Sequence, residues 1–238
     1  GIIKNAPAER RKFADMELCQ LDPIYLYNLN NYNKIINQRN DILKEINFKP
    51  DYRGMLDIYD RQLLSYGKKV IERRRQFTEE LNNIIYSIHK DLSGGREEIK
   101  IQYVPQTSEE DMEEKLKKNT ERDIRMKMTS VGPHRDDFAF ISNGIDVRTY
   151  GSQGQQRTAA LSLKLSEIEL VKKTAKENPI LLLDDVLSEL DSNRQTQLLN
   201  SIGDIQTIIT CTGLDDFVNN RFEIDKIYKV TNGTVSSE

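Results

Sequence analysis

The 238-residue chain has no tryptophan, only two cysteines and no apolar run long enough to span a membrane. Cys19 and Cys211 lie far apart and outside any metal-binding spacing, which argues against a disulfide scaffold and a zinc site. We expect both to be reduced, buried thiols. Because no signal-peptide pattern is present either, the sequence predicts a soluble, cytoplasmic protein with no membrane partner.

The chain also lacks a charge excess of either sign. Its 35 Lys and Arg residues face 38 Asp and Glu residues, giving a net charge of −3. Such a balance provides no global attraction to nucleic acid, so any DNA binding would depend on local basic patches.

The strongest functional signal lies at residues 180–191. Ile180–Leu183 is an apolar run typical of a strand buried on both faces of a parallel sheet. It ends in Asp184 and Asp185, at the position beyond a strand's carboxyl end where ligands gather in α/β proteins. One carboxylate can bind Mg²⁺ and its neighbour can orient or deprotonate an attacking water. The pattern therefore predicts nucleotide chemistry, with Asp184 as metal ligand and Asp185 as catalytic group.

A second signal lies about thirty residues upstream, in Tyr150–Gln156. Glycines and a serine at a helix start leave backbone N–H groups and the positive end of the helix dipole free for a phosphate. The alternative is a Gly/Ser helix cap that binds no ligand. The order of the two signals along the chain favours phosphate binding.

This order resembles the carboxyl-terminal half of an ABC-type ATPase head. Leu181–Asp185 matches the Walker B motif and Ser188–Asp191 the D-loop that follows it. Pro7–Asp15 and Gly132–Asp137 resemble the characteristic segments of the RecF family of DNA-binding repair ATPases. The resemblance extends over nearly the whole chain. The nucleotide-binding residues that it implies are Gly151, Ser152, Gln153, Gly154 and Gln155 of the signature motif, together with Asp191 and Thr210.

The resemblance implies an α/β fold, in which a parallel-strand core with helices and β-hairpins carries an inserted helical-hairpin arm. It implies ATP and Mg²⁺ as cofactors, bound in an ATP-dependent homodimer. It also implies DNA as a partner, either duplex or a single-stranded/double-stranded junction. The expected role is to act with RecR and RecO in loading recombinase at gapped DNA.

The chain departs from the ABC pattern in several places. Gln153 replaces a usual glycine, and Asp185 replaces a longer Glu, from which we expect slow hydrolysis. No switch histidine follows the next strand, where Thr210 or Thr212 remains as a weaker phosphate ligand. No G-x-x-x-x-G-K-[ST] loop occurs in the sequence. We therefore expect a fragment that does not hydrolyse ATP alone.

Between the RecF-like segments, apolar residues recur mostly in steps of three and four from Ile24 to Ile46 and from Leu56 to Ile88. In the first stretch Arg39 occupies the expected apolar slot between Ile36 and Leu43. This spacing predicts two helices that fold back on each other at Phe48–Pro50, the second running to about Leu92. We therefore divide the chain into a head remnant at 1–22, a mainly helical arm domain at 23–125 and the signature/Walker B part of the head at 126–238.

Other patterns predict smaller features. A strand is expected at 97–104, and a capping box at Thr107–Glu110 predicts the start of a helix that runs to about Arg125. Asn143-Gly144 and Asn232-Gly233 predict two β-hairpins. His89 is expected on a helix surface, and His134 in a structural hydrogen bond.

Basic clusters provide the candidates for DNA contact. Solvated faces balanced by acids are the common alternative, and an internal ion pair is the main rival for the first two arginines. A scaffold module, with a protein-binding arm and a vestigial ATPase half, is the alternative function. The candidate DNA-binding residues are Arg10, Arg11, Lys68, Lys69, Arg73, Arg74 and Arg75.

Overall fold

The computed structural model describes residues 2–175, 178–185, 192–203, 205–211 and 224–237. The chain divides into two compact units, Gly1–Pro179 and Ile180–Glu238. None of the helices in the described ranges is long and apolar enough to cross a membrane.

The first unit is mainly helical. Its helices are α1 (Pro7–Leu21), α2 (Pro23–Glu45), α3 (Arg53–Leu92), α4 (Met112–Met126), α5 (Val147–Tyr150) and α6 (Gln153–Ala175). Its strands are β1 (Ile99–Val104), β2 (Asp137–Ser142) and β3 (Ile145–Asp146).

Helices α2 and α3 form the predicted hairpin, joined by a short turn around Pro50–Tyr52. The 40 residues of α3 give a length of about 60 Å at 1.5 Å per residue. The helix ends before Gly94 and Gly95, both with positive φ. The three- and four-residue spacing buries one stripe of each helix, formed by Leu29, Tyr32, Ile36 and Leu43 on α2 and by Leu56, Leu63, Val70, Phe77 and Leu81 on α3.

Strands β1, β2 and β3 form an antiparallel sheet in that order. The predicted hairpin turn between β2 and β3 is present, with Asn143 and Gly144 both at positive φ. The long helix covers the edge of the sheet, because the Asn82 side-chain amide donates to the carbonyl of Ile101 and accepts from its N–H, both at 2.8 Å. This pairing satisfies backbone groups that an edge strand otherwise leaves open.

Two predictions in this unit are wrong. Helix α4 begins at Met112 rather than at the predicted capping box, because Ser108 Oγ accepts from the N–H of Asp111 at 3.1 Å and forms a turn before the helix. His89 is buried rather than on the surface, and its Nδ1 lies 2.8 Å from Ser162 Oγ. Helix α6 packs across this end of α3 and encloses the ring.

The second unit contains β4 (Leu181–Asp184), α7 (Ser192–Ile202), β5 (Thr207–Thr210), β6 (Tyr228–Thr231) and β7 (Thr234–Ser237). Strands β4 and β5 pair in parallel, and β6 and β7 form the hairpin predicted at Asn232-Gly233. The prediction that the 180–183 run is buried on both faces is wrong, since Ile180 is 64% and Leu182 69% exposed. In this two-stranded pair, only the face that carries the Leu183 side chain is covered.

The prediction of two buried thiols is also wrong. Cys19 is partly exposed and Cys211, just after β5, is exposed. Both are free, as expected.

Candidate functional site

The signature segment forms the turn between α5 and α6. Ser152 Oγ accepts from the N–H of Gln155 at 3.2 Å, while Gln155 Oε1 accepts from the N–H of Ser152 at 2.9 Å. This reciprocal pair is a capping box that starts α6. Ser152 and Gln153 are exposed, and Gly154 and Gln155 partly so. The turn therefore presents a capped helix start towards solvent.

Gly151 is required by a close approach within this turn. A Cβ on this residue would lie 2.5 Å from the carbonyl oxygen of Val147. The Gln156 side chain fixes the same turn, since its Nε2 donates to the carbonyls of Val147 at 3.1 Å and Gly151 at 3.0 Å. Gly151 and Gln156 thus set the shape of the signature segment, whereas the sequence indicated only exposed N–H groups.

The second candidate group lies at the carboxyl edge of the parallel pair β4–β5. Asp184 is in register with Thr210, whose Oγ1 donates to Asp184 Oδ1 at 2.5 Å. The N–H of Asp185 donates to the carbonyl of Thr210 at 3.1 Å. The strands therefore bring both acids together with Thr210, as expected for parallel strands that end at one edge. In this arrangement the Thr210 hydroxyl orients the carboxylate of Asp184.

Asp185 has an unusual backbone conformation, with φ at +51°. This left-handed region is rarely adopted by residues other than Gly, Asn and Asp. The chain thus leaves the β4 direction immediately after Asp184. The predicted D-loop at Ser188–Asp191 and the alternative phosphate ligand Thr212 lie outside the described residues.

Two candidate DNA-binding arginines lie inside the protein. Arg10 is buried and forms two hydrogen bonds with the carboxylate of Asp137, each 2.8 Å long. Arg74 is also buried, where it donates to Asp15 at 2.8 Å and to Asp136 at 3.1 Å. The internal ion pair considered for Arg10 is therefore present. These contacts join the Pro7–Asp15 and Gly132–Asp137 segments to the arm helix.

The other arginines differ in how far they are neutralised. Arg73 donates to Asp22 at 2.9 Å and also contacts Glu80. Arg75 forms a bidentate pair with Glu109, at 2.7 and 2.6 Å. Arg11 donates to the backbone carbonyl of Asp136 at 2.7 Å and keeps partial exposure. Burial and the nearby Arg74 cation both lower the pKa of Arg11.

The two lysines of the arm cluster are the most available cations among the candidates. Lys69 is exposed and Lys68 partly exposed on α3. Within the part of the chain that the structure describes, neither forms an ion pair with a carboxylate within 4.0 Å. Of the seven candidates, these two and Arg11 are the ones that form no ion pair within 4.0 Å with an acidic side chain of the described ranges.

His134 makes the structural hydrogen bonds expected for it. Its Nδ1 lies 2.8 Å from the Tyr32 hydroxyl and its Nε2 lies 3.0 Å from the carbonyl of Thr129. Burial lowers its pKa to about 4. The neutral ring thus connects the loop before β2 to the arm helix α2.

Comparison with known proteins gives consistent relatives. No family model matches the chain. It is 61% identical over 235 residues to the DNA replication and repair protein RecF of Lachnoclostridium phytofermentans, covering 99% of this chain and 65% of the relative. It is 45% identical over 239 residues to RecF of Clostridium perfringens, covering 98% and 65% respectively. The chain thus spans less than two thirds of the length of these curated relatives.

Solved structures give the same result. The structure of the recombination mediator protein RecF with ATP, from the RecFOR pathway, has a TM-score of 0.89 and 37% identity, covering 100% of this chain and 64% of that one. An Smc head domain with an extended coiled coil, from Pyrococcus furiosus, has a TM-score of 0.50 at 15% identity, with 99% and 58% covered. The second likeness concerns the fold alone. The predicted fold, part of an ABC-type ATPase head with a helical arm, is confirmed, and the chain belongs to the RecF family.

Proposed function

We propose that this chain supplies the signature and Walker B part of a DNA-binding ATPase that acts in recombinational repair. In this proposal ATP lies between two heads of a homodimer, so that nucleotide controls dimerisation and dimerisation controls the hold on DNA. The arm at 23–125 joins the head segments 1–22 and 126–238. The dimer would recognise gapped or junction DNA and work with RecO and RecR to load recombinase.

The observation that carries the proposal is the arrangement of Asp184, Asp185 and Thr210 at one strand edge. Asp184 has one oxygen oriented by Thr210, and its second oxygen would bind the cation. A single carboxylate fits Mg²⁺, which binds proteins through one or two carboxylates and completes its shell with water and phosphate oxygens. Bound Mg²⁺ would neutralise charge on the phosphates. Asp185 is the acid that would act on water.

The signature turn supports the same proposal. Ser152 Oγ accepts a hydrogen bond within the cap, so its own hydroxyl hydrogen remains to be donated. A phosphate oxygen of a nucleotide held by the partner head would be its acceptor. The 23-residue helix behind it adds the positive end of its dipole.

A full-length chimera tests the nucleotide part. The amino-terminal third of the Lachnoclostridium phytofermentans relative would be joined to this chain, and Ser152→Arg introduced. ATP binding by the monomer should persist, while ATP-dependent dimerisation, followed by analytical ultracentrifugation, should be lost. Ser87→Arg, at an exposed position of α3, is the matched control. If Ser152→Arg abolished ATP binding by the monomer, Ser152 would belong to its own subunit's site and the composite arrangement would be wrong.

Salt dependence tests the DNA part against a protein-binding arm. Each phosphate contact contributes about 0.9 to the slope of log affinity against log salt on duplex DNA. Lys68→Gln with Lys69→Gln should therefore lower that slope by up to about 2. Lys117→Gln with Lys118→Gln, on α4, removes two lysines already paired with Glu113 and Glu114. An equal slope for both double variants would remove the two arm lysines from the DNA interface.

A further inference from the structure

Two tyrosines meet at the outer surface of the arm. Tyr27 on α2 is 61% exposed, and Tyr66 on α3 is partly exposed. Their ring centroids are 6.2 Å apart at an interplanar angle of 66°, an edge-to-face contact. Ile24, one turn from Tyr27, adds a side chain that is 73% exposed. The contact fixes two aromatic rings in place while leaving ring surface open to solvent.

Two lysines flank this pair along the arm. Lys69 lies three residues after Tyr66, and Lys34 lies seven residues after Tyr27, spacings that place each lysine on the same side of its helix as the tyrosine. The helices run antiparallel, since Asp22 before α2 pairs with Arg73 of α3, whereas Arg39, further along α2, pairs with the earlier residue Asp60 of α3. The lysines therefore lie on opposite sides of the tyrosine pair, about 15 Å apart along the axis at 1.5 Å per residue.

The charges near the pair favour an anionic ligand. Lys34 and Lys69 are exposed, and among the described residues neither forms an ion pair with an acid within 4.0 Å. Asp22, the residue just before α2, already forms an ion pair with Arg73. Of the acids on α3, Glu72 lies closest to Lys69 in helical spacing, three residues further along the chain. Aromatic faces between cations are the composition that binds single-stranded nucleic acid, because every unstacked base has a π-face and every linkage a phosphate.

We propose that Tyr27, Tyr66, Lys34 and Lys69 form a platform for single-stranded DNA. The tyrosine rings stack on unstacked bases, and the lysines contact the phosphates on either side. This rests on the proposed DNA-binding function and deepens it, since bases within a duplex are stacked on each other and cannot use the rings. The platform would let the arm distinguish a single-stranded segment from the adjoining duplex.

The test compares binding of the full-length chimera, with ATP present, to a 20-nucleotide oligo(dT) and to a 20-base-pair duplex, both fluorescently labelled. Tyr27→Ala with Tyr66→Ala should weaken single-strand binding at least about 5-fold, the low end for losing one stacked base, and leave duplex binding unchanged. Tyr27→Phe with Tyr66→Phe retains the rings and should bind as the wild type does. Tyr86→Ala, another exposed tyrosine of α3, is the control. A 2-aminopurine base in the single strand should be quenched by the wild type and the Phe variant only.

The outcomes separate this proposal from the one on which it rests. If the Ala variant bound oligo(dT) as tightly as the wild type and still quenched 2-aminopurine, the platform would be wrong while DNA binding stood. An equal loss on duplex and single strand would also overturn it, because stacking cannot explain a duplex effect. If the wild type bound neither DNA, both proposals would fail. Should the double variant not fold by circular dichroism, Tyr27→Ala alone gives the same comparison.

Discussion

Arg74 of the arm helix donates to the carboxylate of Asp136 at 3.1 Å, and both side chains are buried, at 2% and 0% exposure. Asp15 of α1 shares the same guanidinium at 2.8 Å. Tyr25 and Tyr103 complete the group, donating to Asp15 and Asp136 respectively. The cation thus joins three segments that are distant in sequence. The arm helix is fixed to the head segments through this group.

Removing this cation should be strongly destabilising. In Arg74→Ala, the buried carboxylate of Asp136 loses its counter-ion, and breaking a buried pair in this way costs about 3–5 kcal/mol. The neighbouring Arg75 pairs with Glu109 at the surface, so Arg75→Ala should cost about 1 kcal/mol or less. Urea unfolding of both variants checks the difference. Similar free energies of unfolding for the two would contradict an essential role for the buried group.

Gly132 should not tolerate a side chain. Its φ of +130° and ψ of 178° lie in a region essentially reserved for glycine. A Cβ there would also lie 2.2 Å from the Tyr32 hydroxyl, which is hydrogen-bonded to His134. Gly132→Ala should therefore lower the free energy of unfolding by about 1–3 kcal/mol or more.

Gly54 provides the opposite control for Gly132. It lies in the first turn of α3, and apart from its own helix backbone and chain neighbours no atom of the described residues lies within 4 Å of where its Cβ would be. Gly54→Ala should stabilise the chain by up to about 1 kcal/mol, through helix propensity alone. Thermal unfolding of the two variants measures both changes in stability, the loss expected for Gly132→Ala and the gain expected for Gly54→Ala. A neutral Gly132→Ala would show that the loop before β2 can rearrange without loss.

Glu167 should make stability depend on pH. This residue of α6 is buried, with one oxygen bonded to Lys164 at 2.8 Å and the other, Oε1, without a partner in the described structure. Burial raises its pKa from 4.5 to about 8, although Lys164 opposes the shift. Between these values the folded chain keeps a proton that the unfolded chain has lost. Its contribution to stability is therefore full below about pH 4.5 and falls as pH rises to about 8.

Glu167→Gln isolates that contribution. The amide resembles the protonated acid, so the variant should gain stability relative to the wild type as pH rises, by up to about 1.4 kcal/mol per pH unit in this window. Other groups, such as His134, titrate in both proteins and cancel in the difference. Denaturant titrations from pH 5 to 8 give the curve. Parallel stability profiles for the two proteins would show that Glu167 ionises without penalty.

The sequence predicted the elements whose signals are local. The apolar repeat from Leu56 to Ile88 marked α3 because a helix returns to the same face every three or four residues. Asn143-Gly144 and Asn232-Gly233 marked their hairpins because both residues of such a turn need positive φ. The strand that ends in Asp184 was also predicted from a local signal, the run of neighbouring apolar residues before it.

The sequence could not predict which charges meet across the fold. Arg39 occupied an apolar slot of α2, and its partner Asp123 is 84 residues away, in α4. His89 looked like a surface residue because Ser162, which lies against it, is 73 residues away. Arg74 belonged to a run of basic residues from which we expected DNA contact or, as the alternative, a solvated face. In each case burial depends on a helix from a distant part of the chain.

Asp185→Asn tests the division of roles between the two acids. Asparagine adopts positive φ as aspartate does, so the substitution removes the charge without disturbing the backbone at +51°. In the full-length chimera, ATP-dependent dimerisation should persist, because Asp184 and the Thr210 hydroxyl are unchanged. Hydrolysis should slow by roughly 10²-fold or more, the usual scale for a general acid–base group. Steady-state phosphate release and sedimentation with ATP measure the two effects.

The contrast with Asp184→Asn makes the test sharper. Asp184 accepts from Thr210 and is the proposed Mg²⁺ ligand, so its amide variant should lose both hydrolysis and Mg²⁺-dependent nucleotide binding. In Asp185→Asn the nucleotide-bound dimer should instead live longer on DNA, since hydrolysis is the step that opens it. Dissociation from a gapped duplex, followed after dilution, should therefore be slower for Asp185→Asn than for the wild type. If Asp185→Asn stayed folded but failed to dimerise with ATP, Asp185 would be a binding residue, and the water-activating role would have to pass to another group.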